Sequence, residues 1–156
     1  MLYSEQTKKA LTLCFEVHKD QVDKAGIPYV FHPYHLAEQM SDELTTVVAL
    51  LHDVIEDSDY TLADLAAMGF DAKVISALKL LTRDKQTPYM EYIRAIKKDA
   101  IARKVKLADL AHNCDITRLP THSIDEKTIK RVKKYQQAIA FLKHEDDFAL
   151  TDTRKE

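Results

Sequence analysis

Glycine and proline are scarce, at two and four among 156 residues. Strand-rich folds turn often, and tight turns draw on both residue types. The scarcity argues against an all-β sandwich and against a doubly wound α/β fold. It favours helices joined by short loops. It also rules out a glycine-rich phosphate loop, and neither G-x-G-x-x-G nor a Walker A pattern occurs. No apolar run approaches the ~20 residues of a membrane-spanning helix. The start, MLYSEQTKKALTL, has no signal-type run, so no membrane partner is expected. Two cysteines, Cys14 and Cys114, make no disulfide framework, which predicts a cytoplasmic, reducing setting. A net charge of −2 predicts no affinity for nucleic acid.

What is present suits one globular domain over residues 1–156, with about 145–156 expected to fray. Charge is segregated along the chain. From Ala25 to Ala72 there is no Lys or Arg, against nine Asp plus Glu and three His. From Lys73 to Lys134 there are sixteen Lys plus Arg and seven Asp plus Glu. Two solvated faces that attract one another would give this pattern. So would an acidic segment holding a cation beside a basic one holding an anion.

Helical periodicity and caps predict an all-α chain of about eight helices. The first runs from about Ser4 to Gln21, and Gly26 and Pro28 mark the loop after it. A short helix starts near His32-Pro33. Asp42 caps a helix from about Glu43 to Asp57. Thr61 caps Leu62–Met68, closed by Gly69. Asp71 opens a helix to about Leu81, and Thr87-Pro88 opens one to about Lys98. A long apolar helix runs from Asp99 to about Leu119, and Ser123 to His144 forms the last.

Three segments carry chemistry. On a helical wheel His52, Asp53, Glu56 and Asp57 share one arc, and apolar residues fill the other. An amphipathic surface helix shows this too. Here, however, the preceding turn places Thr45, Thr46 and Ala49 on the charged arc, small enough for another element to pack close. Buried carboxylates without partners cost several kcal/mol. No basic residue lies nearby in sequence, and a metal ion would compensate. The second segment is Lys106–Asn113, KLADLAHN, with Lys106, Asp109 and Asn113 on one narrow arc of an otherwise apolar helix. They form either an internal pair or part of a site. The third is PYVFHP, where His32 is either a packing histidine or a ligand. His18, His35, His122 and His144 read as packing or capping histidines.

Tyr29–Pro33, Ala49–Asp57 (ALLHDVIED) and Lys106–Asn113 occur in the order and approximate spacing of one superfamily. The sequence resembles the HD-domain metal-dependent phosphohydrolases, and most of all the hydrolase domain of the stringent-response Rel/Spo homologues, including their short stand-alone members. The resemblance spans about His18 to Leu119. It implies an HD-type helical bundle with a buried site for one divalent ion, typically Mn²⁺, held by His32, His52, Asp53 and Asp109. It implies a small-molecule nucleotide substrate and 3′-pyrophosphohydrolysis of guanosine tetra- or pentaphosphate. Glu56 and Asp57 match the acidic pair that positions and activates water. Asn113 matches a substrate-contacting position, and Lys24 a basic one that faces phosphate. Lys106 can reach the same site, and Arg103 and Lys97 are further candidates for phosphate contact. The pattern has an Arg where this chain has Asp23, an Arg at Leu110 and a Thr at Ile116. Those departures favour another phosphorylated nucleotide as the alternative substrate. A non-enzymatic helical sensor with a retained metal site is the other alternative.

Overall fold

The computed structural model describes residues 1–120 and 124–144. Among them the chain forms nine α-helices and one 3₁₀ turn: α1 Glu5–His18, α2 Phe31–Glu38, α3 Glu43–Leu51, α4 Val54–Asp57, α5 Leu62–Ala67, α6 Ala72–Leu81, α7 Tyr89–Lys97, α8 Ala100–Cys114, the 3₁₀ turn Ile116–Arg118, and α9 Glu126–Lys143. Among the described residues there is no strand. One isolated antiparallel bridge, Val22 to Pro28, closes the loop between α1 and α2. None of the helices is long and apolar enough to cross a membrane.

Side-chain caps set most helix starts. Ser4, Asp42, Thr61, Asp71, Asp99 and Asp125 each accept a hydrogen bond from a backbone amide of the first turn. At Thr61 the Asp64 carboxylate returns a bond to the Thr61 amide and completes a capping box. Gly69, at φ +80°, supplies the left-handed residue after α5.

Helix α3 is the axis of the fold. Val47, Val48, Ala49, Leu50 and Leu51 are fully buried, and α3 packs on α1, α2, α6 and α8. Its C-terminal end therefore lies deep in the molecule, against α2 on one side and α8 on the other. Thr45 and Thr46 are buried, as the small-residue turn predicted.

Several predicted boundaries differ from the observed ones. The helix expected over Glu43–Asp57 is two helices, broken at His52-Asp53. The His52 ring Nδ1–H donates to the Ala49 carbonyl at 2.8 Å. In a continuing helix that carbonyl would take the Asp53 amide, so the side chain displaces the backbone bond. The helix expected to reach Leu119 stops at Cys114. Asp115 turns the chain, and its carboxylate caps the 3₁₀ turn through the Thr117 amide at 3.0 Å. Helix α2 begins at Phe31, before Pro33. Helix α9 begins at Glu126, under Asp125. Ser123, His122 and the tail 145–156 lie outside the described residues.

Candidate metal centre

Three elements bring the site together. The start of α2 supplies His32, the end of α3 supplies His52, and α8 supplies Asp109; all three are buried. One ligand atom from each of these residues lies within 4.8 Å of the others. Asp53 borders the group, its Oδ2 3.0 Å from His52 Nε2. The Tyr29 hydroxyl donates to the same Oδ2. On the α8 side, Asp109 Oδ1 is 3.3 Å from His32 Nε2 and accepts from Asn113 Nδ2 at 2.5 Å. Asp109 Oδ2 meets Lys106 Nζ at 2.7 Å. Lys106, Asp109 and Asn113 thus form the internal pairing that their shared arc allowed.

One imidazole has its ring orientation fixed by the backbone. His52 Nδ1 carries its proton toward Ala49, so the neutral ring has its lone pair on Nε2, where Asp53 favours a second proton in the metal-free protein. That buried Nε2 makes no hydrogen bond to the protein, although a carboxylate lies beside it. A lone pair facing a carboxylate is repulsive until a proton or a metal ion stands between them. Two imidazoles and two carboxylates form a donor set that suits a divalent ion with open positions for water.

Protonation follows the same logic. Burial pulls the His52 imidazole down, but Asp53 and then Asp109 overcome it and push the group up to about 9. Burial raises the Asp53 carboxyl, yet His52 and the Tyr29 hydroxyl hold it below the usual carboxylate range. Asp109 is likewise raised by burial and brought well below that range by Lys106, His32 and His52. Asp57, half-exposed, is raised by burial and by the Asp53 charge.

Glu56 and Asp57 follow on α4 at the exposed edge. Glu56 Oε1 accepts the Arg83 backbone N–H at 2.7 Å. Asp57 Oδ2 lies 3.9 Å from His18 Nδ1. His18 is fully buried, and its ring packs against Tyr29 with centroids 5.1 Å apart.

Two cavities open beside the centre and share Asn113 and Tyr135 as walls. One, of about 200 Å³, is lined by His52, Asp53, Glu56 and Asp109 together with Arg83, Lys106 and Lys134. The buried Arg83 Nε and Tyr89 hydroxyl that border it make no hydrogen bond among the described residues. The other, of about 320 Å³, is lined by Asp23, Lys24, His32, Arg118 and Arg131 among others. Lys24 stands at this second cavity, which His32 also lines, and not at the one lined by His52 and Asp109. Its pKa is lowered by partial burial and by the charges of Arg131 and Lys127. Arg103 and Lys97 line neither cavity, and Lys97 lies over the Phe141 ring at 4.6 Å. The cations of the first cavity are Lys106, Arg83 from the α6–α7 loop and Lys134 from α9, and Arg131 of α9 lines the second cavity with Lys24. The segments of Arg83, Arg131 and Lys134 gave only a general positive charge in sequence. Tyr29 was visible in the PYVFHP motif without a role.

No family model matches the chain. Among curated proteins it is 33% identical over 144 residues to the human guanosine-3′,5′-bis(diphosphate) 3′-pyrophosphohydrolase MESH1, covering 83% of this chain and 78% of that protein. It is 35% identical over 124 residues to the bifunctional (p)ppGpp synthase/hydrolase SpoT of Escherichia coli K12, covering 70% of this chain and 18% of that one. It is 28% identical over 151 residues to a guanosine-3′,5′-bis(diphosphate) 3′-pyrophosphohydrolase of Aquifex aeolicus, covering 91% of this chain and 22% of that one. The chain thus spans about a fifth of the length of these long relatives. A solved structure, that of a metazoan ortholog of SpoT that hydrolyses ppGpp, superimposes with a TM-score of 0.74 at 24% identity, over 91% of this chain and 87% of the other. That likeness establishes the helical fold.

Proposed function

This chain belongs to the family of the guanosine-3′,5′-bis(diphosphate) 3′-pyrophosphohydrolases, and from that premise we propose that it removes pyrophosphate from the 3′ position of guanosine tetra- or pentaphosphate. The cofactor in this reading is one divalent ion, Mn²⁺, and the setting is the cytoplasm. The observation that carries the reading is the convergence of His32, His52 and Asp109, with Glu56 on the wall of the adjoining cationic cavity.

Held by His32, His52, Asp53 and Asp109, the ion would lower the pKa of a bound water and offset charge on a phosphate oxygen. Glu56 takes the proton from the attacking water. It does so through the carboxylate that Arg83 N–H orients. Asp57 aligns the water. The water oxygen bonds to the 3′-phosphorus, the P–O3′ bond breaks, and the proton reaches O3′. Lys106, Lys134 and Arg83 face the negative diphosphate as it leaves. Asn113 donates to Asp109 and separates the two cavities, so it meets the substrate between its diphosphate and its nucleoside. Lys24 serves phosphate at the outer cavity. The nucleoside occupies the roughly 320 Å³ space lined by Tyr29, Leu119 and Tyr135.

Incubating the protein with guanosine tetraphosphate and Mn²⁺, and resolving products by ion-exchange chromatography, tests this. GDP and pyrophosphate in equal amounts are expected, with none formed in excess chelator. Release of single phosphates, or no turnover with metal bound, would defeat it.

A second substrate reading has one observation in its favour. Asp23, where the family pattern has Arg, is fully occupied within the chain. Its Oδ1 accepts the Ala25 and Ile27 amides at 2.8 and 3.0 Å, and its Oδ2 meets Arg118. A nucleotide other than a guanosine one fits a pocket altered in this way. Turnover of a panel of phosphorylated nucleotides separates the two.

A further inference from the structure

Resting on the reading of His32 as a metal ligand, we propose that Arg118 and His112 are positioning residues that set the ring tautomer of His32. Arg118 anchors to the Asp23 carboxylate at 2.5 Å. Its Nη1 lies 3.2 Å from both the His112 carbonyl and His112 Nδ1. A guanidinium has donors and no acceptor. The arrangement assigns the lone pair to His112 Nδ1, shared between Arg118 and His32, and the proton to Nε2.

The same His112 Nδ1 is 2.6 Å from His32 Nδ1. The two rings are inclined by only 15° with centroids 4.9 Å apart. That separation is taken up by the nitrogen–nitrogen gap and the two ring radii, so the rings meet edge to edge. This is the in-plane geometry of an N–H···N bond. With His112 accepting, His32 Nδ1 must donate. Its Nε2 is then left with the lone pair, aimed at Asp109 and the metal centre.

The chain Asp23–Arg118–His112–His32 does for His32 what the Ala49 carbonyl does for His52. The outer partner of a metal-bound histidine commonly fixes its tautomer and is worth about 10–100-fold in metal affinity. Without Arg118, His112 can move its proton to Nδ1 and donate to His32. That would place the His32 proton on Nε2, where it blocks coordination.

Long-range ¹H–¹⁵N correlation spectra of the histidine rings, taken on metal-free protein at pH 7, test the arrangement directly. Wild type is expected to show His112 protonated at Nε2, and Arg118→Met to show a substantial Nδ1–H population. Titration calorimetry with Mn²⁺ is expected to show roughly tenfold weaker binding for Arg118→Met. Arg118→Lys, which keeps a donor, should recover part of the loss. Where Arg118→Met does not fold, Asp23→Asn removes the anchor alone and should weaken Mn²⁺ binding in the same direction by less. His112 protonated at Nδ1 in wild type, or Mn²⁺ binding unchanged in the folded variant, overturns the proposal and leaves the metal centre standing. Wild type that binds no divalent ion overturns the metal reading itself, and this proposal with it.

Discussion

Lys106 Nζ sits 2.7 Å from Asp109 Oδ2, one turn apart on α8, with side-chain exposures of 16% and 7%. The pair holds a carboxylate ionised deep in the protein, where two imidazoles also need it. Breaking such a pair leaves an uncompensated charge. Lys106→Met is therefore expected to destabilise the metal-free protein by about 3 kcal/mol. Mn²⁺, by neutralising Asp109, should recover part of that. Thermal unfolding with and without the ion measures both.

The same pair gives a pH dependence with a definite sign. Lys106 lowers the Asp109 carboxyl below its unfolded value of about 3.9. The stability it contributes is present above that value and is lost as pH falls toward the folded one. His52 is the reverse case, raised in the folded state from 6.5 to about 9. Its contribution is complete below 6.5 and disappears as pH rises through about 9. Metal-free protein is thus expected to lose stability in both directions, on acidification below about pH 4 and between 6.5 and 9. Denaturant titrations across that range provide the check.

Metal binding must displace the His52 proton. At pH 7 the uptake of Mn²⁺ is expected to release protons, and apparent affinity is expected to rise as pH approaches 9. Calorimetry in two buffers of different ionisation heat counts the protons. Equal heats in both would contradict the displacement.

Glu56→Gln separates binding from chemistry. The amide oxygen can still accept the Arg83 N–H, so stability should hold within ±0.5 kcal/mol and metal content should stay at one equivalent. Turnover should fall by about 10²–10⁴. Metal content and rate measured on one preparation decide the matter. Loss of metal would make Glu56 a ligand, and an unchanged rate would make it a surface acid.

Arg83, Lys106, Lys134, Lys24 and Arg131 line the two cavities. A multiply charged nucleotide should bind more weakly as salt rises, with KM more affected than kcat. KM values at low and high ionic strength that coincide would rule out steering by this field.

Local signals were legible in the sequence, and distant ones were not. Helix starts at Ser4, Asp42, Thr61 and Asp71 could be read because each capping bond spans two or three residues. The convergence of His32, His52 and Asp109 was anticipated through the family resemblance that their motifs carry. The break after Leu51 was hidden, since a helical wheel assumes a continuous helix and the His52 side chain, not a proline or glycine, interrupts it. The end of α8 was hidden for a similar reason, because an aspartate rather than Pro120 stops it. Arg118 and His112 gave no signal at all. Their contacts cross 95 and 80 positions to Asp23 and His32, and no pattern within a helix reports on such pairs.

The two histidines of the centre differ in how early their rings can be set. His52 bonds to a carbonyl three residues back, so its orientation is complete as soon as α3 exists. His32 waits on a partner 80 residues away. Docking one packed element on another is slow beside the winding of a helix. During refolding, the chain is therefore expected to acquire helical signal first and tight ion affinity only after α8 docks against α2. Ion capture would then time the last step of assembly, and stopped-flow traces of the two signals should part by the interval between them.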